Sequence, residues 1–259
     1  MSDSGNSEIV VTAVKRADTL HALAGRSLTR SELQDEIDVS RTTTHRIVRE
    51  LADKTLIRRV GGTYELTPLG RIVAREVEHL QDTVTAAEKL GALLPSLDRT
   101  DIDVELLADA TITVQEAGDP YRPVRRFISL LRDSGTLRGF DTTTIAPMYV
   151  DEIRDSILDG MRTEIIYLPP VIDQILDDHH DATEAAIESG QLDLFIYDEL
   201  PFGLAIFDDR VGVGGYDETG VLRVFADTDS PQVRSWAESL YEEYHDKATS
   251  IREHDNWAG

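Results

Sequence analysis

The 259-residue chain contains no cysteine, and lysine supplies only 4 of its 26 basic residues. Without thiols, a disulfide framework, a cysteine-bound zinc ribbon and a thiolate nucleophile are all excluded. No apolar run approaches the roughly 20 residues that a membrane span needs, and the opening MSDSGNSEIVV lacks the basic and apolar stretches of a secretory leader. A soluble, cytoplasmic protein with no membrane partner is expected. Positive charge is scarce overall: 49 acids, 29 of them aspartate, leave a formal charge of -23. Such a surface suits a salt-loaded cytoplasm, where molar salt shortens the Debye length to about 3 Å and screens self-repulsion. A halophilic source is therefore expected. The 41% of hydrophobic residues suffices for packed cores rather than an acidic disordered chain, and the length suits two domains.

The shortage of bases is uneven. Residues 1–75 hold 12 of the 26 bases and 10 of the 49 acids, so the whole deficit falls on the remainder. A near-neutral segment in a chain this acidic suggests a surface that meets a polyanion.

Within that segment the apolar spacing from Glu8 to about Ala24 predicts a first helix, closed by Gly25. Thr29 and Glu32 have the spacing of a capping box that opens a short second helix. Asp38-Val39-Ser40 turns the chain, and a third helix begins near Arg41 with Ser40 as N-cap and Ile47, Val48 and Leu51 on its inner face. Its other face carries Arg41, Thr42, Thr44, His45, Arg46 and Arg49. Leu56–Val60 and Thr63–Leu66 read as two strands joined by Gly61-Gly62, and Thr67-Pro68 as N-cap and first residue of another helix. A helix that presents Arg, Thr and His from its first half can enter the major groove, where each good bidentate pair discriminates by about 1–3 kcal/mol. Recognition is assigned to Arg41, Thr43, Thr44, His45 and Arg46, with Thr43 alternatively lying beneath the helix near Ser40. Thr29, Arg30 and Ser31, together with Arg58, Arg59 and Thr63 on the hairpin, suit phosphates, which position without specifying.

The segment LTRSELQDEIDVSRTTTHRIVRELADKTLIRRVGGTYELTPLGR resembles the winged helix-turn-helix domain of archaeal and bacterial transcription regulators. The resemblance covers about the first quarter of the chain and implies double-stranded promoter DNA as partner. From Pro68 to about Leu94, the residues Leu69, Val73, Val77, Leu80, Val84, Ala87, Leu90 and Leu94 approach a heptad seam, ended by Pro95. This helix serves either a twofold mate or intramolecular packing. Paired half-sites on DNA favour a homodimer.

Beyond Asp98 the texture changes. Candidate strands at Ala110–Gln115, Leu137–Asp141, Glu164–Leu168, Leu192–Tyr197, Gly203–Phe207, Arg210–Val213 and Val221–Phe225 alternate with helices at Pro123–Asp133, Val150–Gly160 and Ile172–Ser189. A last helix runs from Pro231 to about Glu253. The order predicts an α/β layered domain with a partly antiparallel sheet. The stretches DTTTIAPMYVDEI, EIIYLPP and LFIYDELPFGLAIFDDRVGVGGYDETG resemble the middle or sensor domain of regulators of the methanogenesis regulatory protein (FilR-type) family, over roughly Asp103 to Ile251. Related domains look like half of a phospholipase-D-type fold. The expected architecture is thus α+β / α/β: a winged helix-turn-helix in 1–67, a connecting and dimerisation helix in 68–95, and an acidic α/β sensor domain in 100–259.

Catalysis finds little support. Phospholipase-D chemistry needs a His-x-Lys pair, and the triplet His245-Asp246-Lys247 is set in a helix without the motif's downstream Asp. His179-His180 among Asp177, Asp178 and Asp181 reads as a solvated helix end rather than a metal site. Gly212-Val213-Gly214-Gly215 lacks the spacing of a dinucleotide loop and reads as a hairpin. No enzyme activity, cofactor or metal is expected. In open α/β sheets ligands lie beyond the carboxyl ends of strands, which nominates Thr142, Thr143, Thr144, Tyr149, Pro169, Tyr197 and Asp198. Arg122, Arg125 and Arg126 stand out in a base-poor domain: either one of them holds a phosphate or carboxylate bidentately, with a small anionic metabolite as the leading effector, or they are surface arginines paired with acids. The contrasting reading makes the α/β domain an enzyme or a protein-docking module localised by the winged helix. Operator, effector, and activator or repressor action are not legible in the residues.

Overall fold

The computed structural model describes residues 3–100, 102–143 and 147–253. The chain divides into two compact units, Met1–Val84 and Thr85–Gly259.

The first unit contains α1 (Asp3–Lys15), α2 (Ala17–Ala22), α3 (Arg30–Glu36), α4 (Arg41–Asp53), β1 (Ile57–Val60), β2 (Thr63–Leu66) and most of α5 (Pro68–Leu90). The helix expected over Glu8–Ala24 is broken at Arg16 (φ -120°, ψ 24°). No glycine or proline marks the break. Instead the Arg16 guanidinium reaches Glu50 of α4 through Nε and Nη2 at 3.0 and 2.8 Å, and Ala17, Leu20 and Leu23 then turn into the core. The capping box at Thr29 and Glu32 and the Ser40 cap of α4 both form. Asp38 takes a left-handed conformation (φ 46°), which a short polar residue tolerates, and so lets the chain turn from α3 into α4. The antiparallel hairpin β1–β2 turns on Gly61 and Gly62 (φ 55° and 98°), as a tight turn with two positive φ angles requires. Leu28 bridges to Tyr64 and extends the hairpin by one pairing.

The T-P-L-G start of α5 has a steric explanation. Thr67 Oγ1 accepts from the Gly70 amide at 2.9 Å, and a Cβ on Gly70 would lie 1.9 Å from the Leu56 carbonyl oxygen. α5 stops at Leu90, short of the expected Leu94. Gly91 (φ 35°) begins a 3-10 turn, Gly91–Leu93, and a short α6 (Leu94–Leu97) follows. Pro95 therefore does not end the long helix; it occupies the first turn of the next one, where its missing N–H costs nothing.

The second unit is a three-layer α/β/α arrangement. Its elements are a 3-10 turn at Val104–Leu107, β3 (Thr111–Val114), α7 (Arg122–Arg132), β4 (Thr136–Asp141), a 3-10 turn at Pro147–Tyr149, α8 (Val150–Leu158), β5 (Arg162–Tyr167), α9 (Pro169–Glu188), β6 (Leu192–Ile196), β7 (Gly203–Ile206), β8 (Val211–Tyr216), β9 (Leu222–Thr228), α10 (Pro231–His245), β10 (Thr249–Ser250) and a closing 3-10 turn at Ile251–Glu253. Eight strands run in the order β10-β6-β5-β4-β7-β8-β9-β3. Only β4, β5 and β6 are mutually parallel, joined through α8 and α9. Alternation along β5 sends Ile165 to the face covered by α7, α8 and α9, and Ile166 to the face covered by α10 and the segment around Leu90–Leu107.

Three expectations are corrected here. The last helix ends at His245 rather than near Glu253, because Thr249 and Ser250 pair with Ile196 and Phe195 as an edge strand. α9 is bent at His179, whose backbone is non-helical. Gly212–Gly215 is not a turn but lies inside β8, between β7 and β9. A Cβ on Gly212 would fall 2.2 Å from the Phe225 ring, and one on Gly215 3.0 Å from Leu93, so close packing on both faces demands glycine there. Among the described residues no helix is long and apolar enough to cross a membrane.

Candidate nucleic-acid interface and internal cavity

α4 buries one stripe, Thr44, Ile47, Val48 and Leu51, at helical spacing. Thr44 is thereby corrected: it is fully buried, its hydroxyl donates to the Ser40 carbonyl at 3.1 Å, and it cannot reach a base. Thr43 is half-buried with its hydroxyl 2.9 Å from that of Ser40, which matches the alternative placement beneath the helix start. Arg41, Thr42, His45, Arg46 and Arg49 occupy the exposed face.

Most other bases of this unit have structural partners. Arg16 pairs with Glu50, Arg26 with Glu36, Lys54 with Glu8, Arg58 with Glu65 and Arg75 with Glu76. Arg30, expected at phosphates, is half-buried and donates to the Tyr64 hydroxyl at 2.9 Å, which ties α3 to the hairpin. Thr63 donates to the Val60 carbonyl across the turn. Thr29 and Ser40 serve as caps, and Ser31 is exposed in the first turn of α3. Arg41 and Arg46 have no acidic partner among the described residues, and Arg59 contacts only the Tyr64 ring face, at 6.0 Å.

In the second unit a cavity of about 550 Å³ lies under α7, α8 and α9. Its floor is one transverse row of the sheet, Tyr167, Asp141, Gly203, Gly214 and Phe225, set by register across β5, β4, β7, β8 and β9. The adjacent glycines leave room: a Cβ on Gly203 would stand 3.2 Å from both Asp141 carboxyl oxygens. Asp141 accepts from the Tyr216 hydroxyl and the Thr142 amide, each at 2.7 Å, and from the Thr143 amide at 3.4 Å. Asp141 is among the residues that line the cavity. Desolvation pushes its pKa up to about 6, against the opposing effect of those three donors. Burial and the neighbouring Asp141 charge raise the Tyr216 and Tyr167 hydroxyls. At the other end of the floor Thr163 is only 3% exposed, and its hydroxyl has no hydrogen-bond partner.

A stability consequence follows. Because the folded-state pKa of Asp141 lies above its unfolded value of 3.8, its protonated form favours folding as pH falls from about 6 towards 4, and that contribution is lost as pH rises through about 6. A shift of about two units corresponds to an order of 1–3 kcal/mol. Asp141→Asn is expected to raise the melting temperature of this unit at pH 7 and to flatten its dependence between pH 4 and 7. Equal slopes for variant and parent would contradict the assignment.

Sequence comparisons agree with this division. Residues 120–247 match the family described as methanogenesis regulatory protein FilR1, middle domain, and residues 5–89 match the HVO_A0261 N-terminal domain. Residues 120–247 are thus similar to a FilR1 middle domain. No curated protein matches the chain. Among solved structures, it is similar to TrmBL2, an archaeal chromatin protein (17% identity, 92% of this chain and 94% of that one, TM-score 0.45). It is also similar to NucT from Helicobacter pylori (13%, 55% and 99%, 0.42) and to Nuc, a phospholipase D family member from Salmonella typhimurium (13%, 55% and 99%, 0.41).

The second unit places the sequence-nominated ligand residues differently from expectation. Arg122 pairs with Glu116 and Arg125 with Asp119 at the surface, while Arg126 grips the fully buried Asp227 through Nε and Nη2 at 2.9 and 2.7 Å. None of the three lines the cavity, so the expected anion site is not assembled there. Tyr197 packs on Tyr244 against the opposite face, Asp198 is exposed, and Pro169 opens α9. Tyr149 packs against the hydrophobic core on the α7–α9 side and is not among the residues that line the cavity. Thr142 contributes its amide to Asp141, Thr143 lines the cavity, and Thr144 lies outside the described residues. The carboxyl-end rule thus landed one residue beyond Asp141. Tyr167, Tyr216, Thr163 and the glycines were missed, although an acid that closes the apolar strand Leu137–Asp141 and the glycine-rich β8 were visible signals.

His245 lies edge-on to Phe195, whereas Lys247 pairs with Glu243 and covers Tyr244, so the His-x-Lys string does not converge on one site. Among the described residues no group of three or more His, Asp or Glu side chains is arranged to hold a metal ion.

Proposed function

We propose that this protein is a homodimeric, sequence-specific DNA-binding transcription regulator. In this reading α3, α4 and the β1–β2 hairpin act as a winged helix-turn-helix, and the FilR1 middle domain acts as an effector-responsive module. The observation that carries the reading is the exposed face of α4, which keeps Arg41 and Arg46 free of acidic partners among the described residues of a chain with net charge -23. Match of residues 120–247 to a domain of a regulatory protein supports it.

A second copy is the favoured occupant of two exposed apolar faces. Val10, Val11 and Val14 lie uncovered on α1, and Leu69, Ile72, Leu80 and Val84 on α5, while Val77 of the same heptad pattern is buried in the first unit. Half of the seam thus serves intramolecular packing and half remains for a partner. The acidic surface supports adaptation to high salt, where few phosphate contacts keep the salt slope low, each contact adding about one unit.

Immunoprecipitation of the tagged protein from its host, with sequencing of the bound DNA, tests the proposal at native salt. Discrete promoter peaks that share a palindrome are expected. Uniform background would overturn it in favour of an enzyme or docking module localised by the first unit.

A further inference from the structure

The cavity under α7, α8 and α9 has a chemistry that the anion expectation did not foresee. Its lining is mainly apolar, with hydroxyl groups and the Gln174 amide between, and Asp141 is the single charged side chain among the described residues that line it. Among the described residues neither lysine, arginine nor histidine lines it, so a carboxylate or phosphate placed inside would meet a like charge with no compensating cation.

Two polar points mark the ends of the floor. Asp141 offers about four lone-pair sites and receives three protein donors, which leaves acceptor capacity directed at the space above Gly203 and Gly214. Thr163 supplies the second point, a buried hydroxyl without a partner, at a position where protein hydroxyls are ordinarily satisfied. Thr163 and Tyr167 share one face of β5, four residues apart, and Tyr167 is in register with Asp141. At about 3.3 Å per residue the two points are roughly 13 Å apart. The volume is in the range of drug-sized ligand sites.

We propose that this cavity binds an elongated, mainly apolar small molecule that carries a hydrogen-bond donor, a hydroxyl or an amine, at the Asp141 end and a second polar group at Thr163. This names the effector class for the regulator reading above and rests on it only for its biological role. The glycines at 203 and 214 are the size determinants: side chains there would project into the space next to Asp141 and Tyr216. An anion is rejected by the carboxyl group, and a wholly apolar molecule would leave both Asp141 and Thr163 incompletely satisfied.

Isothermal titration of the full-length protein with three probes of equal length, octane-1,8-diol, 8-aminooctan-1-ol and octanedioate, tests the inference without reference to DNA. The diol and the amino alcohol are expected to bind, with octanedioate weaker by about tenfold or more. Asp141→Asn is expected to weaken the amino alcohol by about tenfold, because a charge-assisted bond becomes a neutral one. Thr163→Val, nearly isosteric, is expected to weaken the diol several-fold while raising the melting temperature of the free protein. No heat from any probe, octanedioate binding as tightly as the diol, or affinities untouched by both variants would overturn the proposal. Promoter enrichment without probe binding would sink this inference and spare the regulator reading. Probe binding without promoter enrichment would do the reverse.

Discussion

Replacing both Arg41 and Arg46 by alanine is expected to abolish sequence-specific DNA binding in a protein that remains folded. Both side chains leave the exposed face of α4 and have no acidic partner among the described residues, so their removal costs the fold little. The buried stripe of Thr44, Ile47, Val48 and Leu51 and the Ser40 cap stay in place. If each arginine makes one bidentate contact to a guanine edge, the pair contributes about 2–6 kcal/mol, or roughly 30-fold to 10⁴-fold in affinity for the preferred sequence. Arg59→Ala is the informative contrast, since a hairpin arginine set against a ring face suits a phosphate. That variant should weaken all sequences alike and lower the salt slope by about one unit. Fluorescence anisotropy with a peak-derived operator and a scrambled duplex, over a salt series, separates the two behaviours. Undiminished discrimination in the double variant would refute the role given to α4.

Asp227→Ala should produce the largest loss of stability in the second unit. Asp227 lies on β9 with no exposed surface, and its carboxylate is shared by two guanidiniums: Arg126 of α7 in a two-point contact, and Arg210 beside β8 at 2.5 Å. Its removal leaves two positive charges facing each other across a space that water does not freely fill. Removal of one partner from a buried ion pair costs about 3–5 kcal/mol. Both arginines keep about a third of their side-chain surface exposed, which places the expectation near the lower figure. With about 2–4 °C per kcal/mol for a unit of this size, the melting temperature should fall by roughly 6–12 °C. Arg126→Met should cost less, because Arg210 still neutralises the carboxylate. Scanning calorimetry of the three proteins checks the order, and an Asp227 variant as stable as the parent would show that the cluster contributes nothing net.

The same arginine illustrates how far residues alone can be read. In a base-poor stretch, Arg122, Arg125 and Arg126 stood out as either an anion site or arginines paired with acids, and in the structure they pair with Glu116, Asp119 and Asp227. Whether the negative charge facing them belongs to a ligand or to the protein was not legible, because the partner of Arg126 lies 101 positions away, on β9. The same limit hid the break at Arg16, whose partner is Glu50, and the inward role of Arg30. By contrast the capping box at Thr29, the Ser40 cap, the Gly61-Gly62 turn and the strand–helix order of the second unit were legible, because each depends on neighbours within a few residues.

Local spacing therefore determined the α3–turn–α4 and β1–β2 segment, the succession of strands and helices, and the placing of Arg41 and Arg46 at the start of α4. Backbone conformation and capping act over one or two turns, and the residues that control them are adjacent in the chain. Tertiary structure alone decided that Thr44 faces inward, that the glycines of β8 are a packed floor rather than a turn, and that Asp141, Thr163 and Tyr216 meet one cavity. Those outcomes depend on sheet register and on which helix covers which face, and both are set by contacts between residues far apart in sequence.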